Sequence, residues 1–224
     1  MHKIFNNPSH IYGNGALDDL IRGVLFHKSE RFDSIFTEDI KNLLFAQQNQ
    51  RFGLDLMAIN IQRGRDHGIP TYNQIRFICG LKPFNSFREM RNSLQDRNDW
   101  QHLERTYSHV NDIDFWIGGT LERPLNEGLL GPTFSCIVGE QFRRLKYGDR
   151  FWYENGRMSH SFSERQLSEI RRATLARIIC NNGDNFHRIQ PLAMLPISEQ
   201  NQETDCSSIP QIDLTAWISN TRSG

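Results

Sequence analysis

The stretch from Gly53 to Pro70 constrains this chain more than any other. Residues 53–67 read Gly-Leu-Asp-Leu-Met-Ala-Ile-Asn-Ile-Gln-Arg-Gly-Arg-Asp-His, and Gly68 followed by Pro70 stops a helix cleanly. Positions 56, 60, 63 and 67 step by four, three and four, so Leu56, Asn60, Arg63 and His67 share one helical stripe. Ile59 lies at the edge of that stripe, whereas Ala58 and Ile61 are expected to point away into other packing. Two readings follow. In one, the helix is buried and its Arg-Asp-His end forms a hydrogen-bonded knot, with Arg63 and Arg65 favoured by the helix dipole and Asp66 pairing with either. In the other, the stripe is a pocket wall. Asn60, between Leu56 and Ile59, offers a single amide that can orient an imidazole or a carbonyl, and Arg63 offers a planar fork for a carboxylate. An apolar slot with those two groups suits a flat, acid-bearing cofactor.

Helical periodicity recurs elsewhere. Leu17, Leu20, Ile21, Val24 and Leu25 recur at three and four residue intervals over 16–25, and Thr37 opens a second segment predicted to run to about Gln50. Pro70 can occupy the first turn of a helix carrying Tyr72, Ile75, Arg76, Phe77 and Cys79. Short helical pieces are expected over 84–95 and 97–108, and 112–119 reads as turn-bounded. A strong helix spans Pro132 to Gly148, a strand-like run covers 151–154, and a Ser163-capped helix continues in some form to Cys180. The remainder reads as mostly loop apart from 213–217. No repeat or Gly/Ser-rich linker divides the chain, so a single, mainly α unit with minimal β is expected.

Charge and composition exclude several classes. Lys plus Arg equals Asp plus Glu at 26 each in 224 residues, which removes the electrostatic reason to seek nucleic acid. No run reaches the about 20 apolar residues of a membrane span, and the N-terminus lacks the apolar core of a secretory signal. No glycosylation sequon occurs. Cys79, Cys136, Cys180 and Cys206 contain no Cys-x-x-Cys pair, so a zinc or dithiol site is disfavoured and two disulfides or none remain open.

The block Asp55-Leu56, Asn60-Ile-Gln-Arg-Gly-Arg-Asp-His-Gly68, Pro70, Tyr72-Asn73 and Arg76-Phe-Ile-Cys-Gly-Leu81 resembles the signature of the animal haem peroxidases, the peroxidase-cyclooxygenase superfamily. The likeness continues through Asp112-Ile-Asp-Phe-Trp-Ile-Gly-Gly119, Gly131-Pro132, Cys136-Ile-Val-Gly139, Gln141-Phe-Arg143, Gly148-Asp-Arg-Phe-Trp-Tyr-Glu-Asn155 and Ile178-Ile-Cys-Asn181. It is nearest the invertebrate secreted branch that includes chorion peroxidases and peroxinectins. The resemblance implies a mainly helical fold, a haem cofactor, and oxidation of small or protein-borne electron donors by hydrogen peroxide. It also implies that Asn60 accepts a hydrogen bond from the proximal haem-ligating histidine, that Arg63 meets a haem propionate, and that Leu56 and Ile59 form proximal pocket wall. Further, it implies Cys79–Cys136 and Cys180–Cys206 disulfides and hence an extracellular setting.

In that family the distal histidine and its arginine, the calcium loop, the haem-esterifying acids and the proximal histidine all precede the signature asparagine. Only 59 residues precede Asn60, with His2, His10 and His27 among them, and none has the apolar helical surroundings of the proximal ligand. Residues 1–224 therefore read as the C-terminal portion of one haem peroxidase domain, contributing a pocket wall without its own axial or distal histidine; a calcium site belongs to the upstream part. The remaining histidines, His67 included, read as helix-end or surface residues. The alternatives are a non-catalytic secreted or adhesive module on the same scaffold, and a truncated gene product.

Overall fold

The computed structural model describes residues 5, 7–47 and 49–218; His2 lies outside them. The described chain is mainly helical, as expected. It forms two compact units, one built on Arg31–Leu145 and the other on Pro8–Glu30 with the chain from Lys146 onward.

The first unit contains α2 (Glu38–Lys41), α3 (Leu56–Asp66), α4 (Tyr72–Ile78), α5 (Phe87–Met90), α6 (Asp99–Thr106), α7 (Phe115–Leu121) and most of α8 (Pro132–Gly148). Its core gathers Tyr72, Phe87, Met90, Leu94, Leu103, Val110 and Ile113. The expected second helix stops at Lys41. Instead of continuing to Gln50, the chain reverses and Leu54 N–H donates to the Leu44 carbonyl at 2.7 Å, which buries Leu44 in a bridge. Pro70 precedes α4 rather than entering it, because Thr71 is the N-cap and its N–H donates to Gln74 Oε1 at 2.9 Å. The stretch that reads as turn-bounded, 112–119, contains the start of α7. Gly118 and Gly119 look like helix breakers, yet their lack of a side chain is what lets α7 pack. A Cβ at Gly118 would stand 2.2 Å from the Tyr72 ring, and one at Gly119 would stand 2.3 Å from the Phe134 ring.

A buried polar cluster ties these elements together. Arg76 Nη1 and Tyr72 OH each donate to Glu122 Oε1 at 2.7 Å, while Thr133 N–H at the start of α8 donates to Glu122 Oε2 at 2.7 Å. All four residues are buried, so the ion pair holds only because each oxygen is satisfied. A carboxylate at the N-terminus of α8 is also favoured by the helix dipole. Burial beside the Glu122 carboxylate pushes the Tyr72 phenol far above its ordinary pKa. The Cys79–Cys136 disulfide joins the end of α4 to α8.

The second unit contains α1 (Ala16–Phe26), α9 (Glu164–Arg171), α10 (Leu175–Asn182) and an antiparallel ribbon of β1 (Arg188–Ile189) and β2 (Thr204–Asp205), where Arg188 faces Asp205. The segment expected to run helical from Ser163 to Cys180 is two helices. Ser163 and Gln166 form a reciprocal capping box at 2.9 and 3.3 Å, and Thr174 caps a second start by accepting from Arg177 N–H at 3.1 Å. Residues 151–154 form turns, not a strand. There Glu154 accepts from Lys146 Nζ at 2.7 Å and Trp152 Nε1 at 3.1 Å, which holds its carboxyl down at about 2. Ala176, Ile189, Ala193 and Ile209 form the core, and Cys180 is bonded to Cys206. Asp18 on α1 is buried and accepts the Asp184 and Asn185 N–H groups at 3.1 and 3.2 Å, which seats α1 on this core.

Candidate functional site

Local sequence fixes the frame of α3. Asp55 Oδ1 accepts the N–H groups of Met57 and Ala58 at 2.8 and 3.2 Å, setting the first turn. At the other end Gly68 adopts φ 62°, a left-handed conformation that favours glycine, and Ile69 N–H closes on the Gly64 carbonyl at 2.9 Å. His67 is the C-cap. Its Nδ1 lies 2.9 Å from the Arg63 carbonyl oxygen, so part of the expected terminal knot forms.

The stripe also lines a cavity of about 340 Å³ between α3 and the start of α7. Asn60, Arg63 and His67 contribute from α3, and Phe115 and Trp116 face them from α7. Neither the Asn60 amide nor the Arg63 guanidinium makes a hydrogen bond among the described residues, which leaves an orienting amide and a carboxylate fork uncommitted one turn apart. Ile61, expected to point away, lines the cavity as well, together with Phe115 and Trp116 of α7. Leu56 and Ile59 are half buried and lie outside this lining.

Asp114 is the residue that sequence reasoning missed. Arg65 donates to it through both Nε, to Oδ1 at 2.9 Å, and Nη2, to Oδ2 at 2.8 Å, and Tyr107 OH adds a third bond at 2.7 Å. The Arg65 fork holds the Asp114 carboxyl below its ordinary pKa, while burial and the bond to Asp114 push the Tyr107 phenol up to about 12. Asp66, the nearby acid, is the partner expected from sequence; the fold supplies one 49 positions away. This bidentate pair pins the end of α3 to the start of α7 and so sets the mouth of the cavity. The available signals are its place in the family-like run 112–119 and its position immediately before Phe115-Trp116, in a segment that reads as a turn.

The family model for animal haem peroxidases matches residues 1–194. The chain belongs to the animal haem peroxidase family. It is 38% identical over 220 residues to a peroxidasin homologue of Caenorhabditis elegans, 41% over 214 residues to a peroxidase of Drosophila melanogaster, and 36% over 222 residues to a lactoperoxidase of Mesocricetus auratus. These alignments take in 97%, 96% and 98% of the chain but only 16%, 31% and 31% of the respective relatives. Among solved structures, Peroxidase A from Dictyostelium discoideum is similar with a TM-score of 0.68 and 34% identity, over 82% of this chain and 34% of that one. The peroxidase fold expected from the resemblance is thereby established.

Every described histidine is exposed, and only His67 lines the cavity with Asn60. Among the described residues no group of three or more His, Cys, Asp or Glu side chains is arranged to hold a metal ion. No helix among the described residues is long and apolar enough to cross a membrane.

Proposed function

We propose that this chain supplies one wall of the haem pocket of a peroxidase that oxidises electron donors with hydrogen peroxide. One observation carries the reading: in a member of the haem peroxidase family, the uncommitted side chains of Asn60 and Arg63 line one cavity walled by Phe115 and Trp116. The donor set fits the cofactor. Arg63 would bind a haem propionate through its fork, and Asn60 would accept the N–H of an axial imidazole and hold that ring in one orientation. Ile61, Phe115 and Trp116 would exclude water from the face they cover. Haem supplies the redox chemistry with peroxide when bound; Asn60 and Arg63 would bind and orient it. The two disulfides support an extracellular setting.

Hemin titration of residues 1–224, followed by the Soret band and by peroxide-dependent oxidation of a phenolic or amine donor, tests this. Saturable binding that responds to Asn60 and Arg63, with turnover far below that of a complete relative, is expected. Full turnover by the chain alone would overturn the wall-only assignment, and a folded, disulfide-bonded chain that ignores hemin would favour a non-catalytic module.

A further inference from the structure

The second unit holds a separate cavity of about 440 Å³ between the end of α1 and β1, within the size range of small-molecule sites. Phe26, Leu25, Phe186, Ile189 and Ile197 provide apolar and aromatic walls. At its inner side stands Gln190, only 2% exposed. Its Nε2 faces three carbonyl oxygens, those of Leu25 at 3.3 Å, Ala193 at 3.1 Å and Leu195 at 3.5 Å. All three are acceptors, so the NH₂ end of the amide must face them and the oxygen must face the other way. No hydrogen bond to that Oε1 is made among the described residues, and Gln190 is one of the residues that line the cavity.

The charged residues at the rim are already engaged. The Arg22 guanidinium lies 4.5 Å over the Phe186 ring and donates to the Asn185 carbonyl at 2.9 Å, and Arg188 donates to the Glu203 carbonyl at 2.9 Å and pairs with Asp205. With Glu203 also among the lining residues and Asp205 paired with Arg188, the rim has no excess of positive charge to draw an anion. What the cavity offers is an aromatic slot lined by one buried amide residue whose oxygen has no hydrogen bond among the described residues.

We infer that this cavity is a binding site for a small neutral phenol, its ring packed on Phe186 and Phe26 and its hydroxyl donating to Gln190 Oε1. Aromatic rings favour the offset and edge contacts that two phenylalanines can make. A buried acceptor discriminates strongly between a ligand that donates to it and an isostere that leaves it unpaired. The site lies in a different unit from the Asn60 cavity and does not depend on haem.

NMR titration of isotope-labelled residues 1–224 with 4-propylphenol and 4-propylanisole tests it, since the anisole carries a methyl group in place of the hydroxyl hydrogen and cannot donate. Saturable binding of the phenol with a shift of the Gln190 side-chain amide is expected, about tenfold or more weaker for the anisole. Phe26 is 76% exposed, so Phe26→Ala removes a wall with little effect on folding and is expected to weaken the phenol several-fold. Equal affinity for both ligands, no saturable binding, or binding unchanged in Phe26→Ala would each overturn the assignment.

Discussion

Asn60 and Arg63 show how one helix turn can carry two separable duties. If Asn60 orients an axial imidazole, Asn60→Ala should alter the Soret position and loosen hemin by roughly 10-fold to 100-fold, the usual cost of losing a ligand-orienting partner. Arg63→Ala should weaken hemin with less spectral change, because a propionate contact anchors the ring edge and not the iron. Identical titrations and spectra for wild type and both variants would remove the pocket-wall assignment. Asp114 makes a prediction of a different kind. Its carboxyl is held below the ordinary value by Arg65, so its contribution to stability is present above an unfolded pKa of about 3.9 and is lost as pH falls through the lower folded value. Arg65 is 65% exposed at the side chain, so screening limits the pair to at most about 1 kcal/mol. The melting-temperature difference between wild type and Asp114→Asn should be largest near neutral pH and shrink as the pH falls below about 3.9.

Among the elements, α7 leaves no room for a side chain at either of its two glycines. Its glycines were legible as residues but not as contacts, since nothing in a sequence says that a Gly-Gly pair faces Tyr72 on one side and Phe134 on the other. Gly118→Ala should cost about 1–3 kcal/mol or more by overpacking against the Tyr72 ring, read as a lower denaturation midpoint with an unchanged slope. Gly64→Ala on α3 is the control, because a Cβ there meets nothing within 4 Å. The joint of α4, α7 and α8 is held by Glu122, and Glu122→Gln strips the charge opposite a buried Arg76. A loss of about 3–5 kcal/mol is expected from chemical denaturation, enough to unfold a marginal unit. The helix ends at Gly68 and Ser163 were readable because capping chemistry is local. The stop at Lys41 was not, because its cause is a bridge between Leu44 and Leu54.

Over the whole molecule, each disulfide closes within one unit, spanning 57 and 26 residues. Reduction should therefore lower the stability of both units, by about 2–5 kcal/mol for each bond lost. Thermal melts of the Cys79→Ala/Cys136→Ala and Cys180→Ala/Cys206→Ala pairs would show each bond's contribution separately.

By itself the sequence determined the helical class, the cap and stop of α3, the stripe that carries Asn60 and Arg63, and the family to which the chain belongs. Those properties depend on periodicity, backbone chemistry and residue identity at fixed spacing, which act over a few neighbours. Only the tertiary structure decided that Phe115 and Trp116 face that stripe, that Asp114 and not Asp66 pairs with Arg65, and that Gln190 lines a second cavity. Each of those rests on groups tens of residues apart in sequence. Their encounter is set by which surfaces must be buried together, a constraint that no local window contains.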